Sequence, residues 1–125
     1  MTDQVVSGEV RLGPAELGVP LGSAATLVQF SSTFCQPCRM TRLVLERAAA
    51  TASDVAYVDL DVADHLALGE RLDVTATPTV LVLDASGVVR HRATGTPRLA
   101  QVRAALAAAT TGATTGAATT GDARG

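Results

Sequence analysis

The chain has 125 residues, of which 47% are hydrophobic and 18% are charged, and its formal net charge is −2. This length fits one domain, large enough to bury a core without help from metals or structural disulfides. The acidic and basic residues are spread along the chain without a basic stripe or cluster. We therefore expect neither nucleic acid nor a membrane surface among its partners.

Nothing in the sequence predicts export or membrane insertion. Residues 1–4 (Met-Thr-Asp-Gln) do not begin a positive segment followed by an apolar one, so no signal peptide is predicted. No apolar run reaches the roughly 18 residues that a transmembrane helix requires. We therefore expect a cytoplasmic protein, and in that reducing compartment a working dithiol is favoured over a static disulfide.

The N-terminal part, residues 1–23, is the least regular and is predicted to supply an edge strand and a loop of the same domain. The edge strand is predicted at residues 5–6 or 9–12, and a short turn of helix is predicted around residues 15–17. Longer elements are interrupted by glycine and proline at Gly13, Pro14, Gly18, Pro20 and Gly22.

Two apolar segments and a helical one follow. Residues 26–30 are short, apolar and partly β-branched, which predicts a buried strand, and residues 55–60 predict a second apolar strand. Between them, residues 39 to about 52 are rich in Leu, Ala, Arg and Glu and lack Gly and Pro, which predicts a helix. Pro37 lies in the first turn of this helix, where its missing N–H costs little.

A second helix is predicted after the second strand. It opens at residues 61–64, where Asp64 is the predicted N-cap. Its predicted apolar positions are Leu66, Leu68 and Leu72, and Gly69 weakens the helix without preventing it. Because strands joined through a helix usually lie parallel, we expect parallel strands before and after it.

The last part of the domain is a hairpin and a helix. Residues 79–83 and 88–94 are predicted to be antiparallel strands, joined by the turn sequence of residues 84–87. A final helix is predicted from residue 98 to about residue 108. The order β-α-β-α-β-β-α predicts a mixed sheet with helices on both faces. Residues 109–125 contain no large apolar side chain and are predicted to form a disordered Ala/Thr/Gly tail.

Cys35 and Cys38 carry the predicted chemistry, and they are the only two cysteines of the chain. Cys35 lies where a strand gives way to a helix, and the N–H groups and dipole of a helix N-terminus stabilise a thiolate. The pKa of Cys35 is therefore expected to fall below the ordinary value of about 8.5, with Arg39 adding positive charge. Cys38, one turn further along, is expected to be buried and to react second, as in thiol–disulfide exchange.

A structural disulfide and a metal site are the less favoured interpretations of this pair. A disulfide closing so short a loop contributes only about 2 kcal/mol in the chain-entropy model. Zinc requires about four ligands, and His65 and His91 are separated from each other and from the cysteines. We expect no metal and no cofactor other than the redox-active Cys35–Cys38 disulfide, and we assign neither histidine a role.

Three stretches of sequence form a specific combination. They are residues 27–30 leading into residues 34–40, residues 55–61, and Thr77-Pro78-Thr79. With them the chain resembles the thioredoxin family over residues 24–108, and a Cys-x-x-Cys motif alone would be much weaker evidence. The resemblance implies a thioredoxin-like three-layer α/β/α sandwich around a mixed sheet, with the first helix shortened.

The resemblance also implies a substrate surface. The family proline that matches Pro78 is cis and lies against the cysteines, which exposes the backbone of the preceding Thr77 to an extended substrate segment. Gly95 matches a family glycine that leaves room for the same segment. Phe34 and Pro37, beside the cysteines, complete the predicted substrate-binding set.

Several positions depart from the family's usual residues and are expected to modulate the site. Phe34 replaces a tryptophan, and Gln36 replaces a glycine in the dipeptide that tunes the reduction potential. Gln29 replaces a buried aspartate, a proposed proton acceptor, and Tyr57 replaces the lysine that faces it. Because both replacements are uncharged, no buried charge is left unpaired, but the usual general base is lost.

These features predict a monomeric protein-disulfide reductase. Cys35 attacks the disulfide of a protein substrate, Cys38 resolves the mixed disulfide, and a thioredoxin reductase or a low-molecular-weight thiol restores the dithiol. Two alternatives stay open at this point. One is a thioredoxin-fold binding or redox-sensing module with little turnover, and the other is an oxidant or isomerase, which its reduction potential would distinguish from a reductase.

The loss of the general base gives a first testable prediction. Because Gln29 cannot accept a proton as a carboxylate does, deprotonation of Cys38 should be slower or should use water. The measurement is the pH dependence of the rate of disulfide exchange. An ionisation assignable to a buried carboxylate would contradict this expectation.

Overall fold

The computed structural model describes residues 2–5 and 9–111. Its strands are β1 (Thr2–Val5), β2 (Ala25–Ser31), β3 (Val55–Asp61), β4 (Thr79–Asp84) and β5 (Val89–Thr94). Its helices are α1 (Pro14–Leu17), α2 (Gln36–Ala50), α3 (Leu66–Arg71) and α4 (Leu99–Thr111), with a 3₁₀ turn at Val62–Asp64. None of the helices in these ranges has the length and apolarity needed to cross a membrane.

The strands form one mixed sheet in the order β1-β5-β4-β2-β3. β2 and β3 are parallel, while the pairs β2–β4, β4–β5 and β1–β5 are antiparallel. The N-terminal edge strand lies at Thr2–Val5, earlier than residues 5–6, and Val6 falls outside the described residues. The other predicted stretch, residues 9–12, contributes only an isolated bridge between Arg11 and Val88.

Two hydrophobic clusters cover the two faces of the sheet and confirm the three-layer sandwich. Leu27 of β2 packs in the cluster that contains Leu45 of α2 and Leu106 of α4. Val28, the next residue, points to the opposite face and packs in the cluster that contains Leu17 of α1. Because successive side chains of a strand alternate between faces, the central strand β2 is apolar on both sides. The first helix has only four residues.

The strands on either side of α3 are antiparallel, contrary to the sequence-based expectation, since β4 opposes β2 and β2 is parallel to β3. Helix α3 has six residues and spans only about 9 Å. The length of α3 is less than half that of a seven-residue strand such as β3. The helix therefore cannot return the chain to the opposite end of the strands. β4 therefore begins at the end of the sheet where β2 and β3 finish, with Thr79 paired to Phe30 and Ser31 paired to Asp61.

The predicted N-cap at Asp64 is wrong. Asp61 caps the 3₁₀ turn instead, and its carboxylate accepts a hydrogen bond from the N–H of Ala63 at 2.8 Å. Asp61 has the extended backbone that capping requires, whereas Asp64 lies inside the turn. Helix α3 begins after His65, whose Nδ1 lies 3.0 Å from the carbonyl oxygen of Asp61. At the first position of this helix Leu66 is 70% exposed, so it is not one of the apolar positions.

Helix α4 continues to Thr111, three residues beyond the predicted end of the helix and of the domain at residue 108. Ala109 is 1% exposed and belongs to the cluster of α2 and α4, so it is a core residue and not the start of a tail. Alanine has the highest helix propensity of all residues, which favours continuation of the helix through this tract. The rest of the predicted tail, residues 112–125, lies outside the described residues.

The packing of α2 gives a second prediction. Leu45→Ala should lower the free energy of unfolding by about 2–5 kcal/mol, because the Leu45 side chain is fully buried. Leu43→Ala is the matched control in the same helix, since Leu43 is 60% exposed, and it should change the free energy by less than about 1 kcal/mol. Denaturant unfolding measures both variants. Equal losses would contradict the faces assigned to α2.

Candidate active site

The two cysteines form a disulfide at the N-terminus of α2, with their Cα atoms 5.2 Å apart. Cys35 is the N-cap residue, and its Sγ accepts a hydrogen bond from the N–H of Cys38 at 3.2 Å. Cys35 is half-buried, whereas Cys38 is only 2% exposed. The accessible sulfur is therefore the one at the helix N-terminus, where N–H groups and the helix dipole stabilise a thiolate.

The residues around the disulfide are open to solvent. Phe34 leads into the N-cap with a left-handed backbone (φ 60), which is uncommon for a residue other than glycine. Its side chain is 93% exposed, so it can contact another molecule and does not bury the disulfide. Gln36, Pro37 and Arg39 in the first turn of α2 are exposed as well.

The second part of the site comes from the start of β4. The Thr77–Pro78 peptide bond is cis. β4 begins just after it, beside the end of β2 that leads to the cysteines. The hydroxyl oxygen atoms of Thr77 and Ser32 lie 2.8 Å apart. The carbonyl oxygen of Pro78 accepts a hydrogen bond from the N–H of Gly95 at 3.0 Å, and Gly95 has a φ of 84 that glycine tolerates.

Two threonines that the sequence analysis did not identify connect this loop to α2. The Thr41 hydroxyl donates to the carbonyl oxygen of Pro37 at 2.8 Å, a common bond of a helical threonine to the preceding turn. Thr96 Oγ1 lies 3.0 Å from Thr41 Oγ1 and 3.2 Å from the same carbonyl. These bonds join Pro37 in the first turn of α2 to the loop of Gly95 and Thr96, and Gly95 in turn is bonded to the buried Pro78.

Gln29 lies fully buried beneath the cysteines. Its side-chain amide nitrogen donates to the carbonyl oxygen of Cys38 at 2.9 Å and to Ser31 Oγ at 3.0 Å. Its amide oxygen accepts a hydrogen bond from the hydroxyl of Tyr57 at 2.8 Å. Gln29 and Tyr57, which match two family positions that face each other, are therefore in direct contact and uncharged.

Ser31, Arg42 and Asp59 extend this network, and the sequence analysis gave Ser31 and Arg42 no role. The Ser31 hydroxyl donates to Asp59 Oδ1 at 2.5 Å. Arg42 donates to Asp59 Oδ2 from Nε at 3.0 Å and from its terminal nitrogen at 2.7 Å. The only feature that could have indicated these contacts is the parallel pairing of β2 with β3, which sets Ser31 and Asp59 near each other.

The charged end of the network affects two ionisable groups. The hydrogen bonds to Asp59, together with its negative charge, raise the pKa of Arg42. Burial raises the pKa of Tyr57 well above its usual range, and the negative charge of Asp59 acts in the same direction. Tyr57 is therefore a neutral hydrogen-bond donor to Gln29 throughout the physiological pH range.

The described residues contain no group of three or more His, Cys, Asp and Glu side chains that could hold a metal ion. His65 bonds to the backbone near the end of β3, and His91 lies in β5.

Comparison with known proteins identifies the family. The thioredoxin family model matches residues 19–108 of the chain. The chain belongs to the thioredoxin family. It is 33% identical to the thioredoxin of Mycoplasma genitalium over 69 residues, which are 55% of this chain and 67% of that protein. It is 36% identical to the thioredoxin of Mycolicibacterium smegmatis over 75 residues, 57% of this chain and 67% of that protein.

Solved structures give the same result for the fold. The thioredoxin NaTrxh from Nicotiana alata superposes with a TM-score of 0.61 and 26% identity, covering 70% of this chain and 75% of that one. Chloroplastic thioredoxin z superposes with a TM-score of 0.64 and 22% identity, covering 83% of this chain and 96% of that one. A thioredoxin-family chain with a Cys-x-x-Cys disulfide at this position is a thiol–disulfide oxidoreductase.

Tyr57 allows a direct test of the buried network, because it is the only tyrosine in a chain without tryptophan. The phenol should ionise at a higher pH in the folded protein than in the denatured chain, where the pKa is about 10. The ultraviolet absorbance of tyrosinate measures both values. Ionisation at the same pH in the two states would contradict the buried hydrogen bond to Gln29.

The same shift determines how stability depends on alkaline pH. Because the neutral phenol is favoured in the folded state, its stabilising effect is complete below about pH 10 and is lost as pH rises through the folded-state pKa. Tyr57→Phe, which cannot ionise, should lack this part of the alkaline loss of stability.

Proposed function

We propose that this protein reduces disulfide bonds in protein substrates. The observation that carries the proposal is the half-buried Cys35 at the N-terminus of the 15-residue helix α2, bonded to the buried Cys38. A helix N-terminus favours the thiolate form of the accessible sulfur. The second sulfur is close enough to complete an exchange cycle.

The cycle begins from the reduced dithiol. The Cys35 thiolate attacks one sulfur of the substrate disulfide, and the other substrate sulfur leaves as a thiolate that takes a proton from solvent. Cys38 then loses its proton to water and attacks Cys35 Sγ in the mixed disulfide. The second substrate sulfur leaves as a thiolate, the Cys35–Cys38 bond forms, and two electrons have passed to the substrate.

Substrate docking is proposed at the surface formed by the loops around the disulfide. The backbone of Thr77 offers hydrogen-bonding groups to an extended segment, in the manner of an added strand. Gly95 lacks a side chain that would obstruct this segment. The exposed aromatic ring of Phe34 and the exposed Pro37 supply apolar contacts.

We propose a thioredoxin reductase or a low-molecular-weight thiol as the electron donor that restores the dithiol. The thioredoxin homologues support a reductase of this kind. We further propose that the protein acts as a monomer in the cytoplasm, where a reducing environment returns the disulfide to its working form. No cofactor beyond the two cysteines is needed for the cycle.

Variants of the two cysteines test the division of labour. Cys35→Ser should abolish turnover, because no accessible thiolate remains. Cys38→Ser should retain the first attack and accumulate a covalent mixed disulfide with substrate, which non-reducing gel electrophoresis and mass spectrometry detect. Equal residual activity in both variants would refute the assigned roles.

Insulin reduction with a dithiol donor tests the activity itself. Rapid precipitation of the insulin chains supports the reductase, and its absence would favour a binding or sensing module. Because Gln36 changes the dipeptide that tunes it, the reduction potential has to be measured, against a glutathione or dithiothreitol couple, and a value on the reducing side, towards the value of about −270 mV known for thioredoxin, supports the reductase. A value near about −120 mV would indicate an oxidant.

A further inference from the structure

We propose that Asp59 is a positioning residue for the resolving step, acting through the Ser31 hydroxyl on the amide of Gln29. The inference rests on the proposed function, since its consequence is a change in the attack of Cys38 on the mixed disulfide. Asp59 does not touch either cysteine in the bonds described above. Its connection to Cys38 runs through Ser31 and Gln29, over bonds of 2.5, 3.0 and 2.9 Å.

The chemistry of Asp59 determines the direction of two hydrogen bonds, the one between Ser31 and Asp59 and the one between Gln29 and Ser31. The carboxylate is bound by both the Nε and a terminal nitrogen of Arg42, so it accepts hydrogen bonds and has no proton to donate. The Ser31 hydroxyl must therefore donate its single proton to Asp59. Its lone pairs are then available only as acceptors, and they take one N–H of the Gln29 amide.

The other hydrogen bonds of the Gln29 amide are consistent with Ser31 accepting one of its N–H groups. With its amide nitrogen facing Ser31, Gln29 directs its second N–H to the Cys38 carbonyl and its oxygen to the Tyr57 hydroxyl. The reversed amide would place an oxygen against the Cys38 carbonyl and against a serine oxygen whose proton is already used. Two buried acceptors would then face each other unsatisfied, which is costly. The Cys38 carbonyl opposes the reversed amide by itself, and Asp59, acting through Ser31, adds the second constraint against it.

The orientation of the Gln29 amide matters because Cys38 Sγ has to reach Cys35 Sγ during the resolving step. The bond from Gln29 holds the Cys38 backbone, in the first turn of α2, against the central strand β2. A turn fixed in this way keeps Cys38 Sγ within reach of Cys35 Sγ in the mixed disulfide. A poorly oriented reacting group slows a reaction without changing its chemistry.

The test uses reduced protein and 5,5′-dithiobis(2-nitrobenzoate), a disulfide that reports each step by absorbance. Attack by Cys35 releases one thionitrobenzoate, and attack by Cys38 on the resulting mixed disulfide releases the second. Asp59→Asn and Ser31→Ala should each slow the second release about tenfold, the order expected for the loss of a hydrogen bond to a charged group. The first release should keep its wild-type rate in both variants.

Asp54→Asn is the matched control. It removes the same charge at the other end of β3, where Asp54 is exposed with a left-handed backbone that asparagine tolerates. Both releases should keep their wild-type rates in this variant. A slowed second release in Asp54→Asn as well would show an effect of net charge and overturn the proposal.

Further variants separate positioning from charge and from loss of structure. The double variant Asp59→Asn/Ser31→Ala should be no slower than either single variant, because both break the same connection. Ser31→Thr, which keeps the hydroxyl, should restore the second release towards the wild-type rate. An unchanged second release in Asp59→Asn, or a slowed one that Ser31→Ala does not reproduce, would overturn the proposal.

The proposed function and this inference fail in different ways. If the wild-type protein gives both releases but does not reduce insulin, the reductase function is wrong and the role of Asp59 is still decided by its variants. If insulin is reduced and Asp59→Asn resolves the mixed disulfide normally, only the inference is wrong. Denaturant unfolding of each variant confirms that the compared proteins are folded.

Discussion

The pairing of β4 with β2 is the constraint on which the rest of the site depends. It places Thr79 beside Phe30, so β4 begins next to the position where the central strand β2 ends. The cysteines follow the end of β2 and Pro78 precedes the start of β4, so both lie at the same end of this strand pair. The six-residue α3 is too short to carry the chain back across the sheet, and a longer helix would separate these two halves of the site.

Beneath the disulfide, polar groups are satisfied without burying a net charge. The interior positions hold an amide and a phenol, and the carboxylate lies further out, where Asp59 is 24% exposed and paired with Arg42. Burying an ion costs several kcal/mol even when it is paired, so this arrangement moves the ionic part of the network towards solvent. What remains inside is a set of directional hydrogen bonds.

Much of this structure could be predicted from local sequence. The apolar stretch of β2, the proline-led start of α2 and the turn sequence after β4 each predict their element from adjacent residues, and the two cysteines indicate the chemistry directly. The direction of β4 could not be predicted in this way, because it depends on how far α3 reaches. The contact of Ser31 with Asp59 joins residues 28 positions apart, and only the register of β2 against β3 brings them together.

The far end of α4 has a practical consequence. Thr110 lines a cleft together with Ala24 and Asp54, which precede β2 and β3, whereas the disulfide follows the other end of β2. A seven-residue strand is about 23 Å long, and this length of sheet separates the two ends. A linker, dye or solid support attached near Thr110 would therefore leave the reactive sulfurs facing solution, so an immobilised form of the protein should still reach large substrates.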